Sequence, residues 1–250
     1  MNQLHAIIPM AGEGARFAAI GGDLPKPLVP LQGRPFFYWS AAALLKSLPL
    51  ASLTFVVLRR HIVEHAIYTV IRVFFPQARL VVLDAVLNGP VLTCQAGVRD
   101  LDDDLPVLFN DCDHLFHSQS LVRWIASGRG LAPDQGGSLV SFAADNPAYS
   151  YLCESSPGEV EATIEKVVVS RHAICGAYLF RNRSVFSAAA KSYLGTCPYG
   201  ELFMSGLYNT LISQGLAVNH LPLDLHLSFG TPSELALVAD NGLFSHFRDQ

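Results

Sequence analysis

Short apolar runs alternate along the chain with longer segments whose apolar positions recur at helical spacing. Leu4 to Pro9 reads as a strand, Pro35 to Leu48 as a helix, Leu53 to Leu58 as a strand and Val63 to Phe75 as a helix. A strand at Leu80 to Leu83, a helix at Val91 to Arg99 and a strand at Pro106 to Phe109 continue the rhythm. Strands and helices in strict alternation predict a parallel sheet covered by helices. Because such crossovers are right-handed, the loops after successive strands gather at one edge, and a site is expected there.

After Ser118 the rhythm changes. A helix from Gln119 to Ser127 leads through a glycine-rich connection (Gly128, Gly130, Gly136, Gly137) to a strand at Ser138 to Ala143. Strands are expected at Tyr151 to Cys153, Ala162 to Val169 and Ala173 to Phe180, in a more antiparallel style. Helical spacing at Val185 to Tyr193 and Glu201 to Gln214 is followed by a strand at Ala217 to Pro222. No internal repeat or low-complexity segment interrupts the pattern.

With 250 residues, 50% of them hydrophobic and 15% charged, the chain can bury a large core. The formal net charge of -4 and the lack of a basic stripe argue against a nucleic acid polymer as partner. The start, Met1-Asn2-Gln3-Leu4-His5, has no basic n-region, and no apolar run approaches a membrane span, so a cytoplasmic protein without a membrane partner is expected. Five scattered cysteines (Cys94, Cys112, Cys153, Cys175, Cys197) without a C-x-x-C pair read as small hydrophobes in a reducing compartment. The sequon at Asn182 is idle there.

The chemistry concentrates behind the first strand. Pro9-Met10-Ala11-Gly12-Glu13-Gly14-Ala15-Arg16-Phe17 is followed by Leu24-Pro25-Lys26-Pro27-Leu28. A dinucleotide fingerprint would need glycine where Phe17 stands, and a Walker loop would need Gly-Lys-Ser/Thr. Glycines let the backbone approach phosphates, and consecutive N–H groups form an anion-binding concavity. Arg16 offers a planar fork to phosphate oxygens and Lys26 a point charge. Both cations are expected on a surface loop outside the core. Further on, Asn110-Asp111-Cys112-Asp113-His114 ends an apolar strand in two carboxylates, which suit Mg²⁺ or Mn²⁺ with phosphates and waters completing the shell. Cys112, His114 and His117 offer soft ligands as well, but their spacing matches no structural zinc pattern.

G-x-G-x-R-F with P-K-P-L resembles the signature of the nucleoside-diphosphate-sugar pyrophosphorylases, the nucleotidyltransferases that activate sugar phosphates. That resemblance implies a Rossmann-like (GT-A-like) α/β fold, a mixed, mainly parallel sheet flanked by helices with a small β-rich substrate-side lobe. It implies one domain over residues 1–250, with a nucleotide-binding half (about 1–118) and a substrate-side half (about 119–250). Arg16 and Lys26 become the catalytic cations, and Ala11, Gly12, Glu13, Gly14, Gly89 and Asp111 the nucleotide-binding residues. Asp111 matches the family's metal-binding acid better than Asp113, though the segment aligns either way. Asn88-Gly89-Pro90 resembles a nucleotide-contacting helix entry, and reads equally well as a structural cap.

Ile164-Glu165-Lys166-Val167 and Cys175-Gly176-Ala177-Tyr178-Leu179-Phe180 resemble the family's E-K-P segment and G-x-Y-x-F strand, although Val167 replaces the proline. By resemblance Glu165 meets the sugar hydroxyls and Lys166 the sugar phosphate, with Gly176 also on the substrate-binding side; otherwise Glu165 and Lys166 are a solvated pair. Ser228-Phe229-Gly230-Thr231-Pro232-Ser233-Glu234-Leu235 resembles the D-x-G-T-P-E-D/E-L turn, with Ser228 where many members carry a second metal-binding Asp. Asp224 or Glu201 is then a candidate to complete the metal shell. The expected activity joins a nucleoside triphosphate to a phosphorylated small molecule, foremost a sugar 1-phosphate, and releases pyrophosphate. Cytidylyl transfer to a phosphate such as phosphocholine, or a non-catalytic nucleotide-sugar-binding module, are the alternatives. Association into a homo-oligomer is compatible with all three.

Overall fold

Leu4–Pro9 forms strand β1 because its side chains alternate between two apolar layers: Ala6 and Ile8 enter one buried cluster, Ile7 the other. The same alternation runs through β4 (Leu50–Leu58), where Phe55 and Val57 face one layer and Val56 and Leu58 the other. Strands apolar on both faces belong in the middle of a sheet covered twice. The computed structural model of the chain describes residues 3–14, 17, 23–102 and 104–248.

The first half builds the parallel part of the sheet. β1 pairs in parallel with β4 and with β6 (Val107–Asn110), and β4 in parallel with β5 (Arg79–Leu83). A short hairpin, β2 (Pro30–Leu31) and β3 (Arg34–Pro35), leads into α1 (Phe36–Ser47), which buries Phe36, Phe37 and Trp39 against one face. The helix expected over Val63 to Phe75 is two helices instead, α2 (Arg59–His65) and α3 (Ile67–Phe74), broken by Ala66 at φ 52°. On the other face lies α4 (Pro90–Val98).

The second half extends the same sheet. β7 (His114–His117) and α5 (Gln119–Ala126) precede β8 (Gln135–Ala143), β9 (Tyr151–Ser156), β10 (Glu159–Ile164) and β11 (His172–Phe180). Helices α6 (Arg183–Leu194) and α7 (Met204–Ser213), strands β12 (Ala217–Pro222) and β13 (Leu225–Ser228), and helix α8 (Pro232–Val238) complete the order. The nine-stranded sheet runs β5-β4-β1-β6-β11-β8-β12-β10-β9. It is parallel from β5 to β6 and turns antiparallel where β11 pairs with β6 and β8. β11 thus joins the two halves directly beside β6, the strand that carries the acidic segment. Helices α4, α6 and α7 cover one face with Cys94, Phe186 and Leu207. Helices α1, α3, α5 and α8 cover the other.

Like the β2–β3 hairpin, β7 and β13 were not expected from the local pattern. β7 and β13 form an antiparallel ribbon, Ser228 opposite His114, and the Phe229 amide donates to the Asp113 carbonyl at 3.0 Å. The ribbon brings residues 228–234 over the end of β6. The strand expected over Ala162 to Val169 stops at Ile164, because Lys166 takes a left-handed conformation (φ 54°) and Val167, Val168 and Val169 are exposed. No helix of the described residues is long and apolar enough to cross a membrane.

Candidate active site

Asp111 stands where β6 ends, and its backbone is fixed from three sides. Its amide donates to the Gly176 carbonyl at 3.0 Å. Ser40 Oγ on α1 donates to its carbonyl at 2.8 Å, and buried Asn110 Nδ2 donates in turn to Ser40 Oγ at 2.7 Å. Gly176 has φ 87°, a conformation that glycine adopts without strain. A Cβ there would stand 2.8 Å from Asp111 Oδ2, so the glycine also makes room for the carboxylate.

Lys26 reaches into the same place. Its ammonium forms an ion pair with the Asp113 carboxylate, and the two side chains are only 22% and 19% exposed. Lys26 is therefore not the surface-loop charge expected from the sequence. Burial works against its charge, yet Asp113, helped by Asp111, holds its pKa above the usual lysine value. Burial likewise opposes ionisation of Asp113, and Lys26 outweighs it, so that Asp113 lies below the usual carboxylate range. Asp111 is pushed up to about 7, first by burial and then by the neighbouring charge of Asp113, with Lys26 only partly opposing. Arg16 lies outside the described residues.

Three cavities meet at Asp111. One of about 420 Å³ is lined by Met10, Gly12, Gly14 and Lys26 together with Asp111 and Asp113. A second, of about 390 Å³, is lined by Ala11, Gly12, Glu13, Gly89 and Pro90 with Asp111. The third, about 320 Å³, holds Glu165, Lys166 and Gly176 with the same two aspartates. The residues expected to bind nucleotide thus line the two cavities next to β1, and those expected to bind the acceptor line the third. Glu13 pairs with Arg60 of α2 at 3.1 Å. Gly89, at φ 91°, packs so closely on Leu202 that a Cβ would come within 2.6 Å of the Leu202 amide. Its glycine is thus required structurally whatever it binds.

In the third cavity Glu165 is no solvated pair partner of Lys166. Its carboxylate accepts from Ser205 Oγ at 2.7 Å and from Ser150 Oγ, which orients it. Lys166 Nζ lies 4.3 Å from the centroid of the Phe203 ring, a cation–π distance. Ser228 and Glu201 line this cavity too. Asp224 does not: it accepts from the Gln119 amide at 2.6 Å at the start of α5. Glu234, to which the sequence assigned no role, lines the cavity with Tyr149. The Thr231 hydroxyl accepts from its amide at 3.2 Å, capping the start of α8, and donates to its Oε2 at 3.0 Å. The Ser40 and Ser205 contacts carried no local signal.

The donors are those of a hard cation. Among the described residues, no hydrogen bond or ion pair occupies the Asp111 carboxylate, and Asp113 turns its carboxylate to the same space. Oxygen ligands of this kind suit Mg²⁺ or Mn²⁺. Among the described residues no group of three or more His, Cys, Asp or Glu side chains is arranged for a metal, so phosphate oxygens and waters would complete such a shell. Burial, then the charge of Asp113, pushes the Cys112 thiol far up, and burial lowers His114 to about 4. His117 Nδ1 meets Ser47 Oγ at 3.2 Å, and among the described residues Cys112, His114 and His117 are not gathered for a metal ion.

Residues 6–190 match the MobA-like NTP transferase domain family. The chain belongs to that family. No curated protein sequence matches it significantly. Among solved structures, the nucleoside-diphosphate-sugar pyrophosphorylase from Vibrio cholerae RC9 superposes with a TM-score of 0.77 at 21% identity, covering 92% of this chain and 98% of its own. The inositol-1-phosphate CTP transferase from T. maritima gives 0.76 at 14% identity, over 99% and 96%. A glucose-1-phosphate thymidylyltransferase from Bacillus anthracis, solved with sucrose, gives 0.74 at 16% identity, over 97% and 99%. At these identities the likeness establishes the fold that the glycine loop implied.

Proposed function

We propose that the chain joins a nucleoside triphosphate to a phosphorylated small molecule, foremost a sugar 1-phosphate, giving a nucleoside-diphosphate sugar and pyrophosphate. The observation that carries this reading is the position of Asp111, on which the glycine-loop cavities and the Glu165 cavity converge. The acceptor phosphate oxygen attacks the α-phosphorus, the bond to the β-phosphate oxygen breaks, and pyrophosphate leaves with the electron pair. No general base is needed, since the acceptor phosphate is ionised at neutral pH. Catalysis then rests on positioning and on charge aimed at the transferring group.

In this reading the loop at Ala11, Gly12, Glu13 and Gly14, with Gly89, holds the nucleotide, and Arg16 takes the β- and γ-phosphates. Lys26 neutralises the α-phosphoryl charge. Glu165, already oriented by two serine hydroxyls, accepts from acceptor hydroxyls, while Lys166 and the Gly176 turn receive its phosphate. Asp111 and Asp113 would hold Mg²⁺ or Mn²⁺, which when bound supplies charge neutralisation to the phosphates. A second reading, cytidylyl transfer to a cationic phosphate such as phosphocholine, draws on Glu201 and Glu234 beside Tyr149 and Phe203 in the acceptor cavity.

Pyrophosphate release measured for four nucleoside triphosphates against sugar 1-phosphates, inositol 1-phosphate and phosphocholine tests both readings. A sugar 1-phosphate as best acceptor supports the first and phosphocholine the second. Nucleotide binding by melting shift, without release for any pair, would leave a binding module.

A further inference from the structure

Position 230 is glycine at a point where two carboxylates arrive from different elements. Asp113 Oδ2, from the turn after β6, and Glu234 Oε2, from the first turn of α8, both lie within 3.5 Å of the place a Cβ on Gly230 would take. Glu234 is held as a ligand would be: Tyr149 donates to one carboxylate oxygen and Thr231 to the other. Carboxylates that ligate metals are commonly oriented by such outer partners.

We propose that Glu234 is a carboxylate ligand of the metal–nucleotide complex, supplying from α8 the acid that position 228 lacks. The proposal rests on the first reading of the site given under Proposed function and names a residue to which that reading gave no role. Asp224 is occupied at the start of α5 and cannot serve. Glu201 lines the cavity from the segment before α7, and nothing brings it to Asp113 as the Gly230 turn brings Glu234. Asp113 would pass from Lys26 to the cation, which frees the lysine for the α-phosphate. Glu234 would then join Asp111 and Asp113, with phosphate oxygens and waters completing the shell.

Glu234→Gln leaves in place the backbone amide of residue 234 that the Thr231 hydroxyl caps, so the helix start survives. Mn²⁺ binding to the purified protein, followed by electron paramagnetic resonance with Mn²⁺ alone and with Mn²⁺ plus each nucleoside triphosphate, reads the site without turnover. The expected result is an affinity at least about tenfold weaker in Glu234→Gln, with an unchanged melt, and recovery in the double variant Ser228→Asp/Glu234→Gln. An Asp at 228 cannot repair a cap at Thr231, so recovery separates ligation from folding even if the single variant melts early. Wild-type affinity in Glu234→Gln, no recovery in the double variant, or a wild type that takes up no Mn²⁺ under either condition would overturn the proposal. Failure of every acceptor to release pyrophosphate would instead count against the function proposed above while leaving the Mn²⁺ result readable.

Discussion

Asp111 pays for its position in stability. An acid whose folded pKa is raised favours the protonated form in the fold, so its ionisation costs nothing near its ordinary value of 3.8 and the full penalty above about 7. In metal-free buffer, Asp111→Asn is expected to match wild type in melting temperature at pH 4 and to exceed it at pH 8. The gain should be about 1–3 kcal/mol, with turnover reduced by orders of magnitude. Melts in EDTA at both pH values check this, and a gain independent of pH would contradict it. Lys26→Met should behave oppositely, because it leaves Asp113 without its counter-ion in a pair still 22% and 19% exposed. A stability loss of about 1–3 kcal/mol is expected together with a loss of turnover of about a hundredfold or more. A variant that keeps both properties would remove Lys26 from the mechanism. Asp111 could be singled out because it directly follows an apolar strand, and Lys26 because Pro-Lys-Pro-Leu follows the glycine loop. Their coupling was not, since 87 residues separate Lys26 from Asp113.

At the scale of elements, local pattern read well where burial is two-sided and poorly where a single dihedral decides. Leu4–Pro9, buried on both faces, falls where expected, and so does the half-buried Ala217–Pro222. The break at Ala66 carries neither glycine nor proline, so apolar spacing ran through it. The ribbon of β7 and β13 was missed for another reason: its two short strands are more than a hundred residues apart, and nothing in His114–His117 alone announces the partner. The turn at Gly176 in β11 is the element on which the site most depends. Gly176→Ala would strain the backbone at φ 87° and drive a methyl toward Asp111 Oδ2. The expected result is a destabilisation of about 1–3 kcal/mol and a drop in turnover through displaced Asp111. Chemical denaturation and steady-state kinetics measure both, and an unaffected variant would show that Asp111 is held by Ser40 and Asn110 alone.

In the whole molecule, the parallel half of the sheet presents the glycine loop and β6, and the antiparallel half brings β11 and α7 beside it. The half containing the glycine loop was legible because its strands follow one another in the chain. The order β6-β11-β8-β12 was not, because it is made by pairings distant in sequence. If the nucleotide occupies the cavities of the first half and the acceptor that of the second, a nucleoside-diphosphate sugar spans both and should stabilise the protein more than either substrate alone. A ligand at a hundred times its Kd contributes about 2.7 kcal/mol. For a chain of this size that corresponds to about 2–4 °C per kcal/mol. Glu165→Gln alters only the acceptor side, so it should shrink the melting shift given by the acceptor and by the product while sparing the shift given by the metal–nucleotide. Asp111→Asn, at the junction, should diminish all three. Differential scanning fluorimetry of the three proteins with each ligand tests this division. A nucleotide shift lost in Glu165→Gln would show that the cavities do not divide the ligands in this way.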